Sequence, residues 1–203
     1  MKDGGYLSLI ALLCGLIAAC ALPRPDPERT FWARLQALCG HAYRGYLIEG
    51  DETDQALLRD RELILDVRDC TPDKVRAPFH IGANRARTLV LTRTAEGLQL
   101  HHEVRREDGE LAAVSGYGGS AAPGGSAERQ VFPADEATRR LFTEHGMPAS
   151  AGNVWALDFS VANGFLSYQL VRTDRRFRVD FDLRTPLASP PPAAAGEARP
   201  DQP

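Results

Sequence analysis

Cysteine is scarce in this chain of 203 residues, four in all, and two of the four, Cys14 and Cys20, fall in an apolar leader. The remainder carries only Cys39 and Cys70. Neither stands in a C-x-x-C frame or beside a His or Cys set, which argues against a metal-binding or catalytic thiol pair. Long apolar runs are few as well. The N-terminal one covers residues 6–19, and a helix carried on to Leu22 would be 17 residues long, short of the roughly 20 that hydrocarbon requires. Excess charge of one sign is missing: 24 Lys and Arg against 27 Asp and Glu leave a net −3, a balance that argues against nucleic acid as a partner. Catalytic signatures are missing too. Gly116-Tyr117-Gly118-Gly119-Ser120 has no following Lys-Ser or Lys-Thr to make a phosphate loop, and Ser120 lacks the G-x-S-x-G frame of a nucleophile elbow. No H-E-x-x-H spacing and no internal repeat occur. No catalytic residue, metal ligand or cofactor is therefore assigned.

What is present begins with the leader. Lys2 gives a short basic start, residues 6–19 an apolar core, and Ile17-Ala18-Ala19-Cys20 ends it in small residues. The pattern predicts a lipoprotein signal peptide over residues 1–19 and makes Cys20 the lipidated first residue of the mature chain. Cys14 competes, but Leu12 and Leu13 before it are too bulky for the peptidase. The alternative is an ordinary signal peptide or uncleaved anchor, which would still export the domain. Acyl chains contribute about 0.8 kcal/mol per buried methylene, so the membrane becomes a partner through the lipid. Ala21 in place of Asp after the cysteine resembles outer-membrane sorting, so the expected address is the periplasmic face of a bacterial outer membrane.

Residues 20–28 hold Pro23, Pro25 and Pro27, a stiff tether. Residues 29–185 have the length of one domain, and residues 186–203 are an Ala- and Pro-rich tail expected to be disordered. In an oxidising compartment Cys39 and Cys70 are expected to form a disulfide. If residues 43–49 pair antiparallel with 62–70 through the acidic loop between them, position 41 sits opposite Cys70 and Cys39 is within reach. Closing that loop stabilises by about 3 to 4 kcal/mol in the chain-entropy model.

Phe31, Trp32, Leu35 and Leu38 share one face of a short helix predicted over residues 29–39. From Leu63 the period becomes two. Leu63, Leu65 and Val67 alternate with other residues, as do Val75, Ala77, Phe79 and Ile81. Residues 88–94 and 98–106 flank a turn at Ala95-Glu96-Gly97. The last third predicts a three-stranded meander: Trp155, Leu157, Phe159 and Val161, then Asn163-Gly164, then Leu166, Tyr168 and Leu170, then Phe177, Val179, Phe181 and Leu183. Residues 116–125 read as a Gly-rich loop, and a short helix is expected to start near Asp135. The sum is an all-β, mainly antiparallel chain of nine or ten strands that must hide its edges. An up-and-down, calycin-like barrel with a short N-terminal helix is the first expectation, a two-sheet sandwich the second.

Several side chains are candidates for binding. His102 shares a strand face with Leu98 and Leu100, so it points inward, whereas His101 points outward and the two cannot chelate one ion. His80, Arg85, Arg87 and Arg93 flank the loop at residues 82–84, with Glu107, Asp108 and Tyr117 approaching from the next hairpin end. Such a group would bind a carboxylate or phosphate through guanidinium forks, or else form a salt-bridged rim. Charge is segregated to match, nine acidic and three basic residues over 49–73 followed by seven basic and two acidic over 74–106.

The string His80-Ile-Gly, Arg85, Arg87-Thr88, Leu91-Thr92-Arg93-Thr94, Glu107-Asp108-Gly109, Tyr117-Gly118-Gly119, Phe132-Pro133-Ala134-Asp135 and Phe177-Arg178-Val179-Asp180-Phe181 resembles a family of secreted or lipoprotein-type bacterial proteins of uncharacterised activity, across residues 31–183. Members are richer in histidine just before the Glu-Asp-Gly triplet, where this chain has Val104 and Arg106, a departure that weakens a metal reading. The resemblance brings an exported address and no activity. Three roles remain in view: a non-enzymatic, lipid-anchored barrel for a small apolar or amphipathic ligand, a hydrolase using His80 or His102 with Glu107 or Asp108, and an adaptor lipoprotein with an Arg-rich surface.

Overall fold

The computed structural model describes residues 26–188 and 191–192. The expected signal peptide, Cys20 and most of the expected tether and tail lie outside the described residues. Helix α1 (Pro27–Gln36) opens the fold, with Asp26 accepting from the Glu28 N–H at 3.0 Å and proline in its first turn, a start that needs no donor there. There follow β1 (His41–Glu49), α2 (Glu52–Leu58), β2 (Leu63–Val67), β3 (Asp69–Thr71), β4 (Lys74–Ile81), β5 (Asn84–Thr94), β6 (Gly97–Val104), β7 (Tyr117–Ser120), β8 (Arg129–Pro133), α3 (Glu136–Glu144), a 3-10 turn (Pro148–Gly152), β9 (Val154–Ser160), β10 (Phe165–Arg172) and β11 (Arg175–Asp182).

Ten of these strands run in one continuous antiparallel sheet, β7-β6-β5-β4-β2-β1-β11-β10-β9-β8, and β3 pairs only with β4. The sheet curls until its two ends meet, giving a nearly closed up-and-down barrel rather than two stacked sheets. At the seam the Ala122 N–H donates to the Val131 carbonyl at 2.7 Å and the Asp135 N–H to the Gly118 carbonyl at 3.0 Å. The period-two pattern selects the inner wall. Leu89 and Leu91 of β5, Leu98 and Leu100 of β6, Leu157 of β9 and Val179 and Phe181 of β11 are all buried in one core.

Helix α1 plugs one end of the barrel. Phe31 meets Phe159 edge-on with ring centres 5.3 Å apart, Trp32 donates its indole N–H to the Pro72 carbonyl at 3.0 Å, and Arg93 lies over the Trp32 ring at 5.7 Å. Beside this end Cys39 and Cys70 form the expected disulfide.

The pairing that delivers this disulfide differs from the expected one. Position 41 stands opposite Val67, not Cys70. Cys70 is brought round by the separate strand β3, and Gly40 anchors the approach by donating to the Val67 carbonyl at 2.7 Å. The acidic stretch between β1 and β2 is not a plain loop but α2, started by a reciprocal capping box in which Asp51 and Asp54 each accept the other's N–H. Val161 does not continue the inner face of β9. The strand ends at Ser160, and Val161 is 60% exposed in the turn.

Residues 116–125 also depart from expectation, because their first part is strand β7. A Cβ on Gly118 would sit 1.9 Å from the Leu100 carbonyl oxygen, and one on Gly119 1.9 Å from that of Pro133. The glycines are there so that backbone can press against backbone where the barrel closes. Asp135 starts α3 as anticipated, accepting the Thr138 N–H at 2.7 Å.

A candidate ligand cavity at the open end of the barrel

The packed core fills the barrel from α1 to about the level of His102, and above it the wall encloses a half-open cavity of about 370 Å³. Its sides are Arg87 of β5, Val104 of β6, Tyr117 of β7, Trp155 of β9, and Tyr168 and Leu170 of β10, with Phe177 from β11. Helix α2 contributes Asp54, Leu57 and Leu58 to one lip, and α3 with the 3-10 turn contributes Phe142, Met147 and Ser150 to the other. Leu57 and Met147 are 53% and 40% exposed, so each lip carries an exposed apolar side chain.

His102 lies fully buried behind this wall. Its ring stacks on Tyr117 at 4.8 Å and touches Trp155 and Tyr168 at 5.0 and 5.8 Å between ring centres. Nδ1 lies 3.1 Å from the Tyr117 carbonyl oxygen and Nε2 2.8 Å from the Tyr168 hydroxyl. Burial, and next the charge on Arg87, push its pKa down to about 3, so the ring is neutral. A carbonyl can only accept, so Nδ1 carries the proton and Nε2 accepts from the Tyr168 O–H. Burial likewise raises the Tyr168 pKa and keeps its hydroxyl protonated.

Arg87 stands beside this pair. Burial disfavours its charge, but Tyr117 and Tyr168 offset that and its pKa lies above the ordinary arginine value. Its Nε is buried without a hydrogen-bond partner, and among the described residues no carboxylate forms an ion pair with it. The two other cavity arginines are engaged. Arg175 pairs with Asp54, whose carboxyl burial holds above its usual range. Arg172 binds Asp174 at 2.7 Å and the Ser150 hydroxyl at 3.2 Å. Of the three cavity arginines, Arg175 and Arg172 are thus paired with Asp54 and Asp174, and Arg87 has no carboxylate among the described residues.

Of the residues singled out in the sequence, Arg87 and Tyr117 line the cavity and His102 lies behind its wall. The others lie elsewhere. His80 points out of the barrel, buried on the outer wall with its Nε2 3.8 Å from Asp66. Arg85 donates to the Pro192 carbonyl at 2.8 Å. Arg93 is at the α1 end. These arginines therefore form no common patch, and Glu107 is exposed while Asp108 pairs with Arg106 at 2.9 Å in the same outer loop. Neither His80 nor His102 is joined to Glu107 or Asp108, so no acid–base pair for hydrolysis is assembled from them. Among the described residues no group of three or more His, Cys, Asp or Glu is placed to hold a metal ion.

The sequence reading missed Trp155 and Tyr168 as cavity residues because an inward aromatic on a strand looks the same whether it packs a core or lines a space. It missed Arg172 and Arg175 because they flank a turn, and turn arginines are ordinarily solvated. The capping pair that builds α2 and delivers Asp54 to Arg175 was the available signal.

Comparison with known protein families, with curated proteins and with solved structures finds no match for this chain. Its likeness to the calycins is one of barrel shape alone.

Proposed function

We propose that this protein is a ligand-binding barrel of the bacterial envelope, tethered by lipid at Cys20, which takes a small amphipathic molecule into the open end of the barrel. The observation that carries the reading is the cavity itself: about 370 Å³, lined by Tyr117, Trp155, Tyr168, Leu170 and Phe177 together with three arginines, and backed by a hydrogen-bonded, neutral histidine. At roughly 30 Å³ for each water-sized group, such a space holds about a dozen heavy atoms, within the usual range of small-molecule sites. The Cys39–Cys70 disulfide agrees with an oxidising compartment. Among the described residues no helix is long and apolar enough to cross a membrane, and the proposed attachment is the acylated Cys20.

Two measurements test the two halves of this reading. A neutral naphthylamine dye should gain fluorescence on binding the purified protein and lose it when decanol is added, and a dye that stays dark at saturating protein removes the ligand role. Mass spectrometry of the N-terminal peptide from detergent-extracted protein should find Cys20 as the first residue, bearing acyl chains. An unmodified Cys20 removes the tether.

A further inference from the structure

We infer that the ligand is a carboxylate-bearing amphiphile, bound with its carboxylate inward on Arg87 and its apolar body directed toward the mouth. The inference rests on the cavity being the binding site, and it concerns which chemistry that site selects. A guanidinium is charged at every accessible pH, so Arg87 brings a permanent positive charge to the cavity, beside Tyr117, Trp155 and Tyr168. Leaving such a group without a counter-charge is costly. Its neighbours supply no carboxylate: Tyr117 and Tyr168 offer hydroxyls, the Tyr168 proton is directed to His102, and the cavity carboxylate Asp54 is held by Arg175. One unpaired cation calls for one negative charge. A carboxylate is planar and accepts two parallel N–H bonds from a guanidinium fork, and Arg87 lines the cavity with no carboxylate paired to it among the described residues.

Orientation follows from the opposite end. The lips carry the exposed apolar side chains Leu57 and Met147, while Arg172 and Arg175 are already matched to Asp174 and Asp54. A tail leaving the cavity therefore meets carbon, and a head group left at the mouth would compete with existing ion pairs. A doubly charged phosphate monoester is disfavoured by the single unpaired cation, and a cationic amphiphile by the same charge.

Isothermal titration of the purified full-length mature protein with decanoate, decanol, decyl phosphate and decyltrimethylammonium tests this at equal chain length. Decanoate should bind at least tenfold more tightly than decanol, decyl phosphate should not exceed decanoate, and the cation should not bind. In Arg87→Gln the preference of decanoate over decanol should disappear while decanol affinity is kept. Wild-type protein that binds decanol as tightly as decanoate, or prefers decyl phosphate, overturns the carboxylate assignment but leaves the ligand cavity standing. If none of the four binds, the cavity reading itself fails. Because the wild-type comparison stands alone, the test holds even if Arg87→Gln does not fold. Arg172→Gln, at the lip, should keep the decanoate preference, and its loss there instead would move the carboxylate to the mouth and overturn the inward orientation.

Discussion

At the scale of single residues, the arrangement around His102 links stability to the cavity. A buried neutral imidazole donates to the Tyr117 carbonyl and accepts from the Tyr168 hydroxyl, so removing it takes one hydrogen bond from each of two polar groups inside the wall. Each lost bond costs about 1 kcal/mol. The same burial makes the fold pH-dependent. In the unfolded chain the imidazole takes up a proton near pH 6.5, whereas in the folded protein it does so only near 3. Between these values the unfolded state holds more protons, and stability falls as pH falls, by up to about 1.4 kcal/mol per unit. Carboxylates with depressed values, such as Asp182 at about 2, add their own loss only in stronger acid. Denaturant melts at pH 5.0, 5.5, 6.0 and 6.5 should therefore slope downward toward acid in the wild type. The slope should be visibly shallower in His102→Phe, which should also be less stable than wild type at pH 7. Parallel slopes for the two proteins would show that the imidazole is not buried neutral. The inward direction of His102 was legible from its place in the Leu98, Leu100, His102 stripe. Its partners were not, since Tyr168 lies 66 residues away in sequence and meets it only across the closed barrel.

At the scale of elements, strand β7 shows how one residue type can be read rightly in kind and wrongly in place. Glycine is depleted in strands, so a Gly-rich stretch reads as a loop. In the folded chain Gly118 and Gly119 are strand residues because other backbone passes within contact of where their Cβ atoms would be. Gly118→Ala should consequently destabilise the protein by more than about 2 kcal/mol, since the obstacle is the Leu100 carbonyl and cannot rotate aside. Gly124→Ala sets a positive φ of 86° against open space and should cost about 1 kcal/mol. Chemical denaturation of the two variants checks the order, and equal losses would mean that the seam is not closely packed. The meander β9-β10-β11 and helix α1 were legible because their periods are unbroken over whole elements. Helix α2 was hidden by its length of seven residues and by charges that look like those of a solvated loop, although Asp51 and Asp54 stand at the spacing of a capping box.

At the scale of the whole molecule, the barrel has two unlike ends, and each contains one of the two tryptophans. Trp32 is buried at the plugged end under Arg93, and Trp155 lies in the cavity wall beside His102. They are joined by the inner stripe of β9, which runs from Trp155 through Leu157 to Phe159 on Phe31. Four residues of extended chain separate the ends of that stripe, about 13 Å, and the space between is filled by core leucines. A ligand in the cavity therefore has direct contact with one indole and none with the other. Saturation with decanoate should shift the intrinsic fluorescence of the wild type. The shift should persist in Trp32→Phe and vanish in Trp155→Phe, whose decanoate affinity by calorimetry should fall by no more than about tenfold. A signal that instead follows Trp32 would place the ligand at the α1 end, and the plugged and open ends of the barrel would have to exchange roles.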